Sequence, residues 1–318
     1  MLFSIHLIPS IAAILCYGAD LAVGQVPSRL QSILSNTHNS KEYGYPTDIT
    51  RDLHPIPVHS HNDYWRERPF YTGLSKGCTS TEADVWLYND TLYKVGHDQS
   101  SLTKDRTLQS LYINPILDIL ERQNPESPFV TGTTKNGVWD TTPDQTLYFF
   151  IDLKTSGHDT LKAVIKALEP LRQKGYLTTL QGGQNLTNGP VTVIGTGNTP
   201  LDMVAPVSDR DYFFDAPLAD LGKLEYSNIT ALISPIASTD FKATVGTVTV
   251  DTDPILDDDQ LKALRDQVSL AKSRGIGARY WNTPSWPVRT RNLVWRTLLR
   301  EGVALLNADD LDAVLTEF

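Results

Sequence analysis

Residues 80–88 read STEADVWLY. Side chains of a strand alternate between its faces, so an extended reading puts Ala83, Val85 and Leu87 on one side and Glu82, Asp84 and Trp86 on the other. The apolar set suits packing beneath a layer of helices. The other set then aims two carboxylates at the interior of the sheet, where uncompensated charge is costly to bury. A lone Glu-x-Asp pair has an ordinary explanation, a salt bridge to the next strand.

Residues 146–154, TLYFFIDLK, repeat the device. Here Leu147, Phe149, Ile151 and Leu153 face one way, while Phe150, Asp152 and Lys154 face the other. Three carboxylates from two neighbouring strands offer hard oxygen ligands suited to Mg²⁺ or Ca²⁺, without the His and Cys ligands that zinc favours. Lys154 either pairs with Asp152 or meets a phosphate oxygen.

Working outward, six further short apolar runs read as strands: IPVHSH, VTVIGTG, YFFDAP, ALISPIAS, GIGARYW and VALLNAD. Helical spacing lies between several of them. Leu161, Val164, Ile165, Leu168 and Leu171 form one stripe, and Leu261, Leu264, Val268 and Ala271 another. Pro170 predicts a kink near the end of the first helix, and Pro287 to Gly302 form a last helix closed by glycine. Thr178 to Leu232 lacks clear helices. Strands alternating with helices mean a mostly parallel sheet. Eight strands in about 265 residues predict a single-domain α/β (β/α)₈ TIM barrel over residues 53–318. No glycine-rich phosphate loop follows a strand, so the open nucleotide-binding fold lacks its signature.

The run before STEADVWLY ends in HSHNDYWRERP, with His59 and His61 on one face and Asn62 and Asp63 following. After STEADVWLY comes KVGHDQS, which carries His97. Histidines beside an acidic cluster at the carboxyl ends of barrel strands can supply a general base and a general acid.

Taken together, HSHNDYW, EADVW, VGHD and FFIDLK resemble, in order, the His, Glu-x-Asp, His and Asp-x-Lys motifs of the phosphatidylinositol-phospholipase-C-like phosphodiesterase superfamily. That superfamily includes glycerophosphodiester phosphodiesterases and the sphingomyelinase D toxins of spider venoms. Within it the chain most resembles the fungal homologues of altered inheritance of mitochondria protein 6. The resemblance implies His61 and His97 as the acid/base pair, and Glu82, Asp84 and Asp152 as ligands of one divalent cation, Mg²⁺ ahead of Ca²⁺. It adds Asn62 as a fourth ligand, Lys154 as a phosphate contact and Trp281, in ARYWNTP, as a headgroup contact. It implies cleavage of a phospholipid or a glycerophosphodiester-type substrate, with intramolecular transfer to a cyclic phosphate as one route. The chain departs from glycerophosphodiesterases in lacking their His-Arg-Gly and Pro-Glu-Asn motifs. Two rivals stay open: a catalytically idle barrel binding a lipid headgroup or glycan, and a glycosidase or lyase on the same scaffold.

The termini and composition set the partners. Residues 1–24 hold no Lys or Arg, are mostly apolar, and end in small residues, which reads as a secretory signal peptide. A polar arm, 25–52, follows. Sequons at Asn89, Asn185 and Asn228 fit a secreted or lumenal protein. Removal of Cys16 with the signal leaves Cys78 without an intramolecular partner. With 28 basic and 37 acidic residues and no basic run, nucleic acid is not an expected partner. The expectation is a monomer with a small phosphodiester or phospholipid substrate and transient contact with a membrane surface.

Overall fold

The computed structural model describes residues 49–318, except 90, 95, 97, 131, 133 and 250. The readings of the signal peptide, Cys16 and His97, and of the arm up to residue 48, lie outside the described residues.

Every one of the apolar runs forms a strand: β1 Ile56–Ser60, β2 Cys78–Tyr88, β3 Leu147–Leu153, β4 Val191–Gly197, β5 in two pieces, Phe213–Phe214 and Ala216–Pro217, β6 Ile236–Asp240, β7 Gly277–Trp281 and β8 Leu305–Ala308. β2 starts earlier than the sequence suggests. Cys78, two residues before the STEADVWLY run, pairs with Ile56 of β1 and is buried.

The neighbour order is β4-β3-β2-β1-β8-β7-β6, parallel throughout. β5 joins the two ends. Phe213 and Phe214 pair with Ile194 and Gly195 of β4, whereas Ala216 and Pro217 pair with Ala237 and Ser238 of β6. Asp215, where the pairing changes sides, donates its N–H to the Gly195 carbonyl at 2.9 Å. The result is a nearly closed, eight-stranded parallel barrel.

Helices Asn114–Gln123, Gly157–Ala167, Asp258–Ser273 and Val288–Arg300 cover its outside. The second is followed by Glu169–Gln173, with Pro170 in the first turn of that piece, so the expected kink is a break at Leu168. The third opens on a capping box between Asp257 and Gln260. Between β4 and β6 the helical structure of the described residues, apart from β5, is limited to single 3₁₀ turns, Leu201–Met203, Leu218–Asp220 and Leu224–Tyr226. Pro200, Pro206 and Pro217 punctuate that stretch and leave no room for helical periodicity.

Burial follows the strand alternation. Ala83, Val85, Phe149, Ile151 and Leu153 pack outward in one cluster with Leu120, Leu161, Val164, Leu264 and Leu298 of the helices. Phe150, Ile194, Phe213, Ile236 and Leu305 point inward and form a separate apolar plug in the lumen. Each buried side chain of this kind contributes about 1.5–3 kcal/mol. Because the plug fills the lumen, the polar inward residues farther along the strands collect at the carboxyl end, where barrel enzymes keep their sites.

Candidate active site

Adjacent strands β2 and β3 bring the acidic residues together, with Asp84 and Asp152 in direct register. Oxygen atoms of Glu82, Asp84 and Asp152 all lie within 4.8 Å of one another. Lys154 Nζ lies 2.7 Å from Asp152 Oδ2 and 3.1 Å from Asp84 Oδ2, so the lysine pairs with both carboxylates. Behind Asp152, Gly197 adopts φ +62°, and a Cβ there would fall 1.9 Å from Asp152 Oδ1. Only glycine lets the end of β4 pass so close.

The charges are out of balance. Burial, then Glu82 and Asp152, push the Asp84 carboxyl up to about 7. Burial also raises Asp152, despite Lys154. Burial would raise Glu82 too, yet contact with His59 and the charges of His61 and Arg279 hold it well below the usual range. Three crowded carboxylates, two of them sharing one lysine and the third facing Arg279, make an all-oxygen donor set that fits a hard divalent cation such as Mg²⁺ or Ca²⁺.

The two histidines of β1 separate. His59 is fully buried, with Nδ1 2.7 Å from Ser80 Oγ and its ring edge-on to Phe150 at 4.9 Å. Burial and Arg279 push its pKa down to about 3, so it is neutral at physiological pH. His61 is the histidine that reaches the pocket. Its Nδ1 lies 2.8 Å from Asp309 Oδ1 and its Nε2 3.9 Å from Glu82 Oε2. A proton on Nδ1, donated to Asp309, leaves Nε2 free to act as a base.

The turn after His61 fixes this geometry. Asn62 adopts the left-handed conformation, φ 50°, which Asn tolerates. Its N–H donates to Glu82 Oε2 at 3.1 Å, its side-chain amide donates to Asp309 at 3.0 Å, and its side-chain carbonyl accepts from the Tyr64 hydroxyl. Buried Asp63 clamps the loop by accepting from Ser60 Oγ at 2.7 Å and from the Phe70 N–H.

The structure adds residues that the sequence reading passed over. Arg279, 3% exposed on β7, donates through Nε and Nη2 to Asn307 Oδ1 at 3.1 and 2.9 Å and through Nη1 to Ser238 Oγ at 3.1 Å. Its guanidinium lies over Phe150, 3.8 Å from Glu82 and 3.9 Å from buried Asp215. Strand alternation was the available signal: Arg279 is two residues before Trp281 on the same face, and Asn307 two before Asp309.

A cavity of about 680 Å³ gathers most of the sequence candidates. His61, Asn62, Glu82, Asp84, Asp152, Lys154 and Trp281 line it together with Arg279, Asn307 and Asp309. Among the candidates only His97 falls outside the described residues.

Residues 47–215 match the model of the AIM6-like phosphodiesterase domain. The chain is 54% identical to an altered inheritance of mitochondria protein 6 homolog of Arthroderma benhamiae, over 95% of this chain and 96% of that protein. The chain belongs to the AIM6 family. A more distant AIM6 relative, from Zygosaccharomyces rouxii, is 33% identical and covers 85% of this chain and 71% of its own. Among solved structures, a phosphatidylinositol-specific phospholipase C from Listeria monocytogenes aligns over 87% of this chain and 96% of its own, at TM-score 0.44 and 10% identity. Membership of the AIM6 family supports a phosphodiesterase, and the pocket holds side chains suited to that chemistry.

Proposed function

We propose that this AIM6-family chain is a secreted, divalent-cation-dependent phosphodiesterase that cleaves a phospholipid or a glycerophosphodiester-type substrate. The observation that carries the reading is one pocket in which three carboxylates lie within 4.8 Å of one another, facing a histidine oriented by Asp309. Exposed Asn89, Asn185 and Asn228 suit the secretory part of the reading, since glycosylation requires accessible asparagines.

Glu82, Asp84 and Asp152 would hold the cation, with Asn62 beside them. A cation bound there supplies positive charge that stabilises phosphoryl oxygens as the ester breaks. Lys154, and Arg279 at the pocket floor, present further positive charge to the same oxygens. His61 Nε2 takes the proton of the attacking hydroxyl, and Asp309 keeps that ring in the correct tautomer and steadies the imidazolium that forms. His97, on resemblance, returns a proton to the leaving oxygen.

No side chain of the described pocket is an evident nucleophile. Ser80 touches His59, but both are sealed from solvent. The attacking oxygen therefore comes from water or from the substrate. A hydroxyl next to the phosphodiester has the advantage, because tethering attacker and phosphorus contributes several kcal/mol. The product is then a cyclic phosphate.

The test is phosphorus NMR of reactions with a lysophospholipid and a glycerophosphodiester, with and without a chelator. Turnover should stop on chelation and return with Mg²⁺, with a cyclic phosphate appearing first. Undiminished turnover in excess chelator would overturn cation dependence, and a linear monoester from the outset would overturn the internal attack.

A further inference from the structure

The parallel ladder between β1 and β8 ends at the pair Ser60 and Ala308. His61 and Asp309 are each the next residue, so they meet just past the point where the two strands hold each other. One backbone bond crosses there, from the His61 N–H to the Ala308 carbonyl at 3.2 Å. The Asp309 side chain is 61% exposed, so packing does not fix it, and an exposed ion pair is worth little by itself. Something else must hold the two side chains at 2.8 Å.

Half-buried Arg66, in the same HSHNDYWRERP stretch, spans the seam without lining the pocket. Its Nη1 donates to the Asp309 carbonyl, and its Nη2 to the carbonyls of His61 at 3.1 Å and Ala308 at 3.3 Å. Its Nε reaches the Ser60 hydroxyl at 3.4 Å. The turn Asp63–Trp65 brings the residue back to this place, where the Arg66 N–H donates to the Asp63 carbonyl at 2.9 Å. A planar guanidinium presents its N–H groups as a rigid fork, so both strand ends are fixed by one group.

We infer that Arg66 is a positioning residue that sets the His61 imidazole against the Asp309 carboxylate by tying together the backbone on both sides of the seam between β1 and β8. Its effect on turnover rests on the phosphodiesterase reading above, whereas its effect on the imidazole does not. Without the fork the strand ends part and the contact between Nδ1 and Asp309 lengthens. The ring proton then divides between the two nitrogens, and Nε2 is no longer held free as a base. A displacement of about 1 Å in such a group is enough to cost ~10² in rate.

The experiment compares the full chain with Arg66→Met and Arg66→Lys. Long-range proton–nitrogen correlation NMR reads the His61 tautomer, the signal being assigned by its loss in His61→Asn. Wild type should carry the proton on Nδ1 alone, and Arg66→Met should show both tautomers. On a soluble phosphodiester, kcat of Arg66→Met should fall ~10²-fold at unchanged KM, while its titration with Mg²⁺ matches wild type. In a His61→Asn background the same change should cost less than about threefold, because groups that act as a unit do not add. Arg66→Lys keeps the charge but not the fork and should still lose about tenfold, and it decides the matter if Arg66→Met does not fold. A His61 tautomer unchanged in the Arg66 variants, or a wild type with the proton on Nε2, overturns the inference whatever the rates. So does an Arg66→Met loss as large in the His61→Asn background as in wild type. A wild type that cleaves no phosphodiester, but whose tautomer shifts in the Arg66 variants, would instead sink the catalytic reading and leave Arg66 as the residue that orients His61.

Discussion

The two sides of the pocket are built on opposite electrostatic plans. On β2 and β3, Glu82, Asp84 and Asp152 crowd together with Lys154, and two of the three carboxyls are pushed up, by burial first and then by the neighbouring carboxylates, more than Lys154 offsets. On β7 and β8, Arg279 and Asn307 bind each other directly, and Asp309 is engaged by His61 and Asn62. The first side is unfinished without a ligand and the second is satisfied from within. A change on the first should therefore remove binding and turnover with little cost to the fold. A change on the second should loosen the fold or blunt the rate.

The sharpest break is Asp152→Asn. It should cut turnover by about 10³-fold or more and abolish cation binding, with the melting temperature unchanged or raised because like charges no longer repel. Arg279→Met, on the satisfied side, should weaken the fold as well as lower the rate. It leaves Asp215 and Glu82 buried beside an uncharged side chain, and denaturant unfolding should show a loss of about 3–5 kcal/mol.

His61 links the two sides. His61→Asn should lower kcat by ~10² or more with little change in KM, and Asp309→Asn by about tenfold, since it only orients the ring. Steady-state kinetics on one soluble substrate compare them directly. His59→Asn should leave kcat closer to wild type than either, because a sealed imidazole does not reach substrate.

The smallest effect is one of pH. Asp84 is raised from 3.8 to about 7, so its contribution favours the folded state at low pH and is lost as pH climbs through that window. In chelator, Asp84→Asn should match wild-type stability near pH 4 and exceed it near pH 8. Thermal melts across pH check this, and a constant difference would mean that Asp84 is not the strained group.

The same division explains what could be read in the sequence. The ligand side was legible because its charges interrupt apolar strands at alternate positions, twice, in STEADVWLY and TLYFFIDLK. Arg279 and Asp309 were harder to read, being single polar residues whose partners lie 28 and 248 positions away in the chain. The barrel was legible from eight apolar runs, but the division of β5 at Asp215 was not. That division depends on which neighbour each residue pairs with, and alternation within one strand does not reveal it. The region from β4 to β6 lacked clear helices in its sequence pattern, and its helical structure is limited to single turns. In that stretch the missing periodicity was itself the correct signal.

The most direct test is calorimetric titration of the chelator-treated protein with Mg²⁺ and with Ca²⁺, beside Asp84→Asn and Asp152→Asn. The account predicts one saturable site in the wild type for at least one of the two ions, lost in both variants. A wild type that takes up neither ion, or a site that survives both substitutions, would contradict it.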